Sequence, residues 1–432
     1  MSLSTFDIEF TKEGRIFKEQ QAQSLLDALD GISDLIVLCH GWNNDMHDAA
    51  KLYGQFLDNF STVMDLGLVP GLEERHFAVV QVFWPSKRFT DRDLIPGGGA
   101  AAVGDAANEP VLLELLEEMK RNPSVLGGTD IDPIREHAVR QAEALVPSLD
   151  TDPTARREFV FALRTMLNPS QAHADDASEA FFTSEPEELF RSLQAPVAAD
   201  IGPRADATEA GGAAGLGDLL SGMKAAARRL VNYTTYCDMK ERAGTVGVTG
   251  LAPLLQRIRD RDNTIRLHLV GHSFGGRLVT AAANALPADT QKISLTLLQA
   301  AFSHNGLGQR FDGIHDGAFR DLLDERRASG PILVTHTRND TAVGIAYPIA
   351  SRLARDQAAE LGDHNDPYGS MGRNGAQHTP EAVSGTLHDV GQEYRFESGK
   401  VFNLNADDFI KNHGDVTGPQ VTYALLHAIR TV

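Results

Sequence analysis

Cysteine is almost missing from this chain. Of 432 residues only Cys39 and Cys237 are cysteines, far apart in the sequence. Two thiols cannot build the multi-bridge framework of a small secreted domain. Cys39 closes an apolar run, which suits a buried free thiol. Long hydrophobic runs are missing too. No stretch of 18 or more apolar residues occurs, so no membrane-spanning helix is expected. Residues 1–10 carry neither a basic segment nor a long apolar stretch, unlike a secretory signal. The cytoplasm is the expected compartment. Positive charge is scarce: 40 Lys and Arg stand against 59 Asp and Glu, a net charge of −19. That balance argues against nucleic acid and anionic membrane surfaces as partners.

What is present is a globular composition, 42% hydrophobic. Residues 34–42 and 77–84 read as buried strands. Between them, 46–66 reads as a helix, with Ala49, Leu52, Tyr53, Phe56, Leu57 and Phe60 at three- and four-residue spacing. Strand, helix, strand at this spacing is a βαβ unit and implies a parallel sheet. The pattern resumes with strands at 265–270, 293–298, 331–336 and 401–404. Helices are expected at 276–286, stopped by Pro287, and at 418–431. The fold class is α/β, a mostly parallel central sheet flanked by helices and built from both ends of the chain.

The composition changes between about residues 90 and 215. Gly-rich stretches at 96–102 and 211–217 border it like flexible linkers. Residues 105–210 hold 21 acidic and nine basic side chains. Helical segments start near Pro110, Pro133, Pro153 and Pro186, where proline suits a first helical turn. The expected organisation is a core of residues 1–90 and 216–432 with an acidic helical cap inserted at 91–215. A partly disordered insertion is the alternative. A second, polar insertion spans 356–395. Its Asp363, His364, Asn365 and Asp366, with His378, match no strong metal-ligand spacing. A solvated loop is expected there, and no metal or cofactor.

Chemistry concentrates at Gly271-His272-Ser273-Phe274-Gly275, directly after the 265–270 strand and before a helix. A serine at the tip of such a strand–turn–helix points its hydroxyl away from the backbone, within reach of a base. A hydroxyl needs that base, an acid to orient it, and donors for the oxyanion. His413 follows the 401–404 strand and is the expected base, with His388 and His378 as fallbacks. Asp340 follows the 331–336 strand at its carboxyl end and is the expected acid. Its plainer role is an N-cap for a segment starting at Thr341, and Asp407 and Asp408 are alternatives. The backbone N–H groups of Phe274 and Trp42 are the expected oxyanion donors. Gly41 allows the turn before Trp42, and Gly41 and His272 are expected to line the substrate site. His40 is expected to pin this loop, with Asn43 and Asn44 ordering it.

These pieces, Cys39-His-Gly-Trp42, Gly271-His-Ser-Phe-Gly275, Asp340 and His413, together resemble the α/β-hydrolases, in the chain order Ser, Asp, His. The resemblance covers roughly residues 30–90 and 245–432. The His-Gly-Trp-Asn loop, Phe83-Trp84-Pro85-Ser86 and Gly271 to Leu278 are also similar to a set of poorly characterised bacterial hydrolases. The resemblance implies a cap or lid in the insertion and a serine esterase with a small ester or acyl substrate, a lipase being a narrower form. A peptidase or amidase with the same triad, or a non-catalytic ligand-binding protein of this fold, are the alternatives. Fold alone does not choose among them.

Overall fold

Apolar runs alternating with amphipathic helices fold into one parallel sheet. The computed structural model describes residues 3–42, 44–86, 108–120, 133–176, 178–194, 222–288, 292–340 and 368–432. The linkers expected at 96–102 and 211–217, Asn43, the polar cluster at 363–366 and the segment from Thr341 lie outside them. The chain divides into two compact units. One comprises Met1–Ser86, Lys240–Val343 and Ser370–Val432; the other comprises Lys87–Met239 and Gly344–Gly369.

The first unit contains an eight-stranded sheet. Its strands are β1 (Ser4–Glu9), β2 (Asp34–Cys39), β3 (Phe77–Phe83), β4 (Arg266–His272), β5 (Ile293–Leu298), β6 (Ile332–His336), β7 (Ala382–Thr386) and β8 (Val401–Asn405). Every pair is parallel, in the order β1-β3-β2-β4-β5-β6-β8-β7. The six strands expected from apolar runs are all present. They are covered on both faces, so they read as continuous hydrophobic stretches. All six residues of β2 and of β5 are buried. The edge strands β1 and β7 were not expected, because they are exposed along much of their length and carry polar residues.

The chain leaves β2 through the helix Met46–Asp65 toward β3 on one side, and leaves β4 through the helix Phe274–Ala285 toward β5 on the other. Right-handed crossovers running in opposite directions put these two helices on opposite faces. Met46–Asp65 packs against the closing helix Pro419–Arg430, and Phe56, Phe60, Leu425 and Ile429 join one buried cluster there. Each such side chain contributes about 1.5–3 kcal/mol by leaving water. The helix starts sharply at a capping box. Asp45 accepts from the N–H groups of His47 and Asp48 at 2.9 Å, and the Asp48 carboxylate accepts from the Asp45 N–H at 3.2 Å. On the other face, Phe274–Ala285 packs on a π-helical turn, Val246–Leu251.

At the amino-terminal edge of the sheet lies a buried polar network. The Asp34 carboxylate accepts from His268 Nε2 at 3.0 Å, Arg75 Nη1 at 2.8 Å and Ser33 Oγ at 2.6 Å. His268 Nδ1 meets Ser294 Oγ at 2.8 Å. Burial pushes the Asp34 carboxyl up, but these donors and the Arg75 charge win and lower it. Burial lowers His268 despite the carboxylate.

The second unit is helical in its described part. Asn108–Lys120, Pro133–Leu145, Pro153–Thr165, Ser178–Thr183 and Pro186–Leu193 precede a long helix, Met223–Thr245, whose last turns belong to the first unit. The four helices expected near prolines are present. Phe159, Phe190 and Leu163 are fully buried, and Arg156 forks onto both oxygens of Glu187 at 2.9 Å. Among the described residues, no helix is long and apolar enough to cross a membrane.

Candidate functional site

The order of the sheet creates a switch point between β2 and β4, where consecutive crossovers turn away from each other. In open α/β sheets ligands bind outside the carboxyl ends of the strands at such a point. The loop Cys39 to Trp42 and the turn at Ser273 both lie there.

Ser273 has φ 56° and ψ −124°. A residue with a Cβ avoids this region, and holding one there costs about 1–3 kcal/mol. Surrounding bonds impose it. The Ser273 N–H donates to Leu298 O, and its carbonyl accepts from Gly276 and Ala301, each at 3.0 Å. The flanking glycines are required by contact. A Cβ on Gly271 would lie 2.4 Å from Gly275 O, and one on Gly275 would lie 2.3 Å from Cys39 O. The turn at Ser273 therefore packs directly on the end of β2.

Gly41 covers the serine. A Cβ there would lie 2.6 Å from Ser273 Cβ and 3.2 Å from its Oγ. The Trp42 and Phe274 rings meet edge to face with centroids 5.8 Å apart, which brings the segments bearing both expected oxyanion donors together. His40 pins the loop from below. Its Nδ1 donates to Gly41 O at 2.9 Å, its Nε2 accepts from the Trp84 N–H at 3.3 Å, and its carbonyl accepts from Trp84 Nε1 at 2.9 Å. Burial pushes His40 down to about 4, so it stays neutral and keeps an acceptor for Trp84. Asn44 Nδ2 donates to the carbonyls of Gly41 and Trp42.

Asp340 and His413 meet. His413 Nδ1 lies 2.7 Å from Asp340 Oδ2. The carboxylate is fully buried, while the imidazole keeps 22% of its surface. A proton on Nδ1 leaves Nε2 as the bare, basic nitrogen. His272 ties this loop to the turn at Ser273. Its Nε2 donates to His413 O at 2.8 Å, and the two rings stack obliquely with centroids 4.7 Å apart. Burial, and then the neighbouring His413, push His272 down to about 3. Among the described residues, no hydrogen bond joins Ser273 Oγ to His413. Such bonds are often long before substrate arrives.

The fallback residues are placed elsewhere. His388 stacks on Tyr394 at 4.8 Å, and His378 Nδ1 meets Asn305 Oδ1 at 2.8 Å. Asp408 is exposed. Asp407 binds Thr337 and Arg338 and not His413. Two features escape the sequence: the tether from His272 to His413, and Asn339, which donates to Asp407 O and Ile410 O. Neither leaves a signal in spacing, because each joins segments from different strands.

The buried Asp34, His268 and Ser294 form a hydrogen-bonded serine–histidine–aspartate chain. It lies at the opposite edge of the sheet, and none of the three exposes more than 1% of its surface. It has no access to a substrate. Among the described residues, no group of three or more His, Cys, Asp and Glu could hold a metal ion. Set beside known proteins, the chain matches no family model, no curated protein and no solved structure.

Proposed function

We propose that this chain is a serine hydrolase that cleaves a carboxylic ester. The carrying observation is the 2.7 Å bond between His413 Nδ1 and Asp340, on a loop tethered to the residue before a serine at positive φ. A receptor needs neither a serine held in a costly conformation nor an oriented imidazole.

In this mechanism Ser273 Oγ attacks the ester carbonyl while His413 Nε2 takes its proton. Asp340 holds the imidazole in the required tautomer and stabilises the imidazolium. The N–H groups of Trp42 and Phe274 receive the tetrahedral oxyanion, the kind of donor worth about 3–4 kcal/mol of barrier each. His413 then protonates the departing alcohol. Water, activated by the same imidazole, frees the acyl group from Ser273. This chemistry agrees with the α/β-hydrolase resemblance. The resemblance would make the helical unit a cap, and its two segments follow β3 and β6 in the chain.

Labelling by a fluorophosphonate probe tests the reading. Ser273 is the expected adduct, and Ser273→Ala abolishes it. Folded wild-type protein that takes no label would overturn the assignment. p-Nitrophenyl esters of increasing chain length, run beside peptide amides, separate esterase from amidase.

A further inference from the structure

We propose that Asn339 and Asp407 are positioning residues that clasp the Asp340 loop to the His413 loop. The inference rests on the triad reading and names what sets its acid–base pair.

Asp340 and His413 lie on loops that leave neighbouring strands. The β6–β8 ladder ends at His336 and Asn405, with one further bond from the Ala406 N–H to His336 O at 2.8 Å. Beyond that point the ladder no longer sets the spacing. The clasp takes over there. Asn339 Nδ2 donates to Asp407 O at 2.9 Å and to Ile410 O at 2.8 Å. In return Asp407 Oδ1 accepts from Thr337 Oγ1 at 2.7 Å and from the Arg338 N–H at 3.0 Å. Asp407 Oδ2 accepts from Arg338 Nε at 3.1 Å and Nη2 at 3.0 Å. Thr337, Arg338 and Asn339 are the three residues directly before Asp340.

The parts differ in importance. The Arg338 side chain is 83% exposed, and an exposed ion pair contributes little. The bonds from Thr337, the Arg338 N–H and Asn339 fix backbone, and backbone placement carries the Asp340 carboxylate to His413. Partial burial raises the Asp407 carboxyl, but its donors win and bring it down to about 2. It therefore remains an acceptor through the working pH range. A misplacement of about 1 Å in a catalytic group costs on the order of 100-fold in rate. Loosening the clasp is thus expected to strike kcat, while the substrate side, at Gly41 and Trp42, keeps KM.

The test uses Asn339→Ala, Asp407→Ala and Asp407→Asn in the full chain. Active sites are counted by fluorophosphonate titration, so that kcat refers to folded enzyme. Asn339→Ala and Asp407→Ala should each lower kcat and the labelling rate by about 10- to 100-fold with KM within about twofold. Asp407→Asn keeps an acceptor oxygen for Thr337 and the Arg338 N–H and should stay within about threefold of wild type. A far-downfield proton NMR signal of His413 Nδ1–H is expected in wild type; it should broaden or shift in the two alanine variants and persist in Asp407→Asn. Wild-type rates and an unchanged signal in both alanine variants overturn the clasp, as does a rise in KM at constant kcat. Failure of wild type itself to label overturns the triad reading, and the clasp with it.

Discussion

The Cα of Gly41 lies so close over Ser273 that a methyl group on it would stand 2.6 Å from Ser273 Cβ and 3.2 Å from Oγ. The loop expected to supply an oxyanion donor is therefore in contact with the proposed nucleophile itself. We predict that Gly41→Ala costs about 1–3 kcal/mol of stability, as overpacking does. It should also slow fluorophosphonate labelling more than tenfold, because the Trp42 N–H moves with the loop. Thermal melts and labelling kinetics check this, and wild-type labelling would show that the loop is not part of the site.

Backbone strain at Ser273 gives a second prediction. A side chain at φ 56° and ψ −124° costs about 1–3 kcal/mol. Glycine relieves the strain but returns roughly 0.5–1 kcal/mol through the entropy of the unfolded chain. Ser273→Gly should therefore be inactive yet more stable by about 1 kcal/mol. Urea unfolding reads this directly, and a less stable variant would contradict a strained turn.

Acid should weaken the fold earlier than carboxylate titration alone does. His40 is held neutral down to about 4 and His272 down to about 3, both from a usual 6.5, chiefly by burial. His268 is also lowered. The unfolded chain takes up these protons below the usual value, and the folded chain refuses them. Stability is then complete above about pH 6.5 and falls as pH drops, by roughly 2 kcal/mol per such histidine at about pH 5. The lowered Asp34 carboxyl acts in the same direction at lower pH. Melting temperature against pH tests this, and a flat profile between pH 7 and 5 would count against neutral burial. Replacing His40 with Gln should reduce the slope.

The network at Asp34 should matter for folding and not for catalysis. Removing the carboxylate in Asp34→Ala leaves His268 and Arg75 without their buried acceptor. The expected cost is about 3–5 kcal/mol. Ser294→Ala should destabilise modestly while leaving kcat per labelled site unchanged. Any probe adduct on Ser294 in the folded protein would refute this division of roles.

The central strands were legible because strands covered on both faces leave unbroken apolar runs, as in β2 and β5. The helix Met46–Asp65 was legible through its one apolar face. The edge strands were not. β7 lies in a polar stretch and exposes nearly all its residues, so pairing to β8 stabilises it without a hydrophobic pattern. The Met223–Thr245 helix was missed because a Gly-rich border precedes it and its apolar face is not sharply defined. At the site, Ser273, Asp340 and His413 could be singled out because each follows a recognisable strand. His272 was read as lining the substrate site, and its bond to His413 O became visible only in three dimensions. Asp407 was weighed as an alternative acid, and its donors from Thr337 and Arg338 could not be read from its position.

The sequence by itself determined the α/β class, the strand–turn–helix at Ser273 and the chain order of the candidate groups. These are local properties, written in the periodicity of apolar residues and the placement of glycines. Tertiary structure decided which carboxylate reaches His413, which glycine covers the serine, and that the bonded chain Ser294–His268–Asp34 is sealed at the opposite edge. Those outcomes depend on strand order and register, which bring residues 73 to 234 positions apart into contact, and no short-range pattern encodes such a pairing.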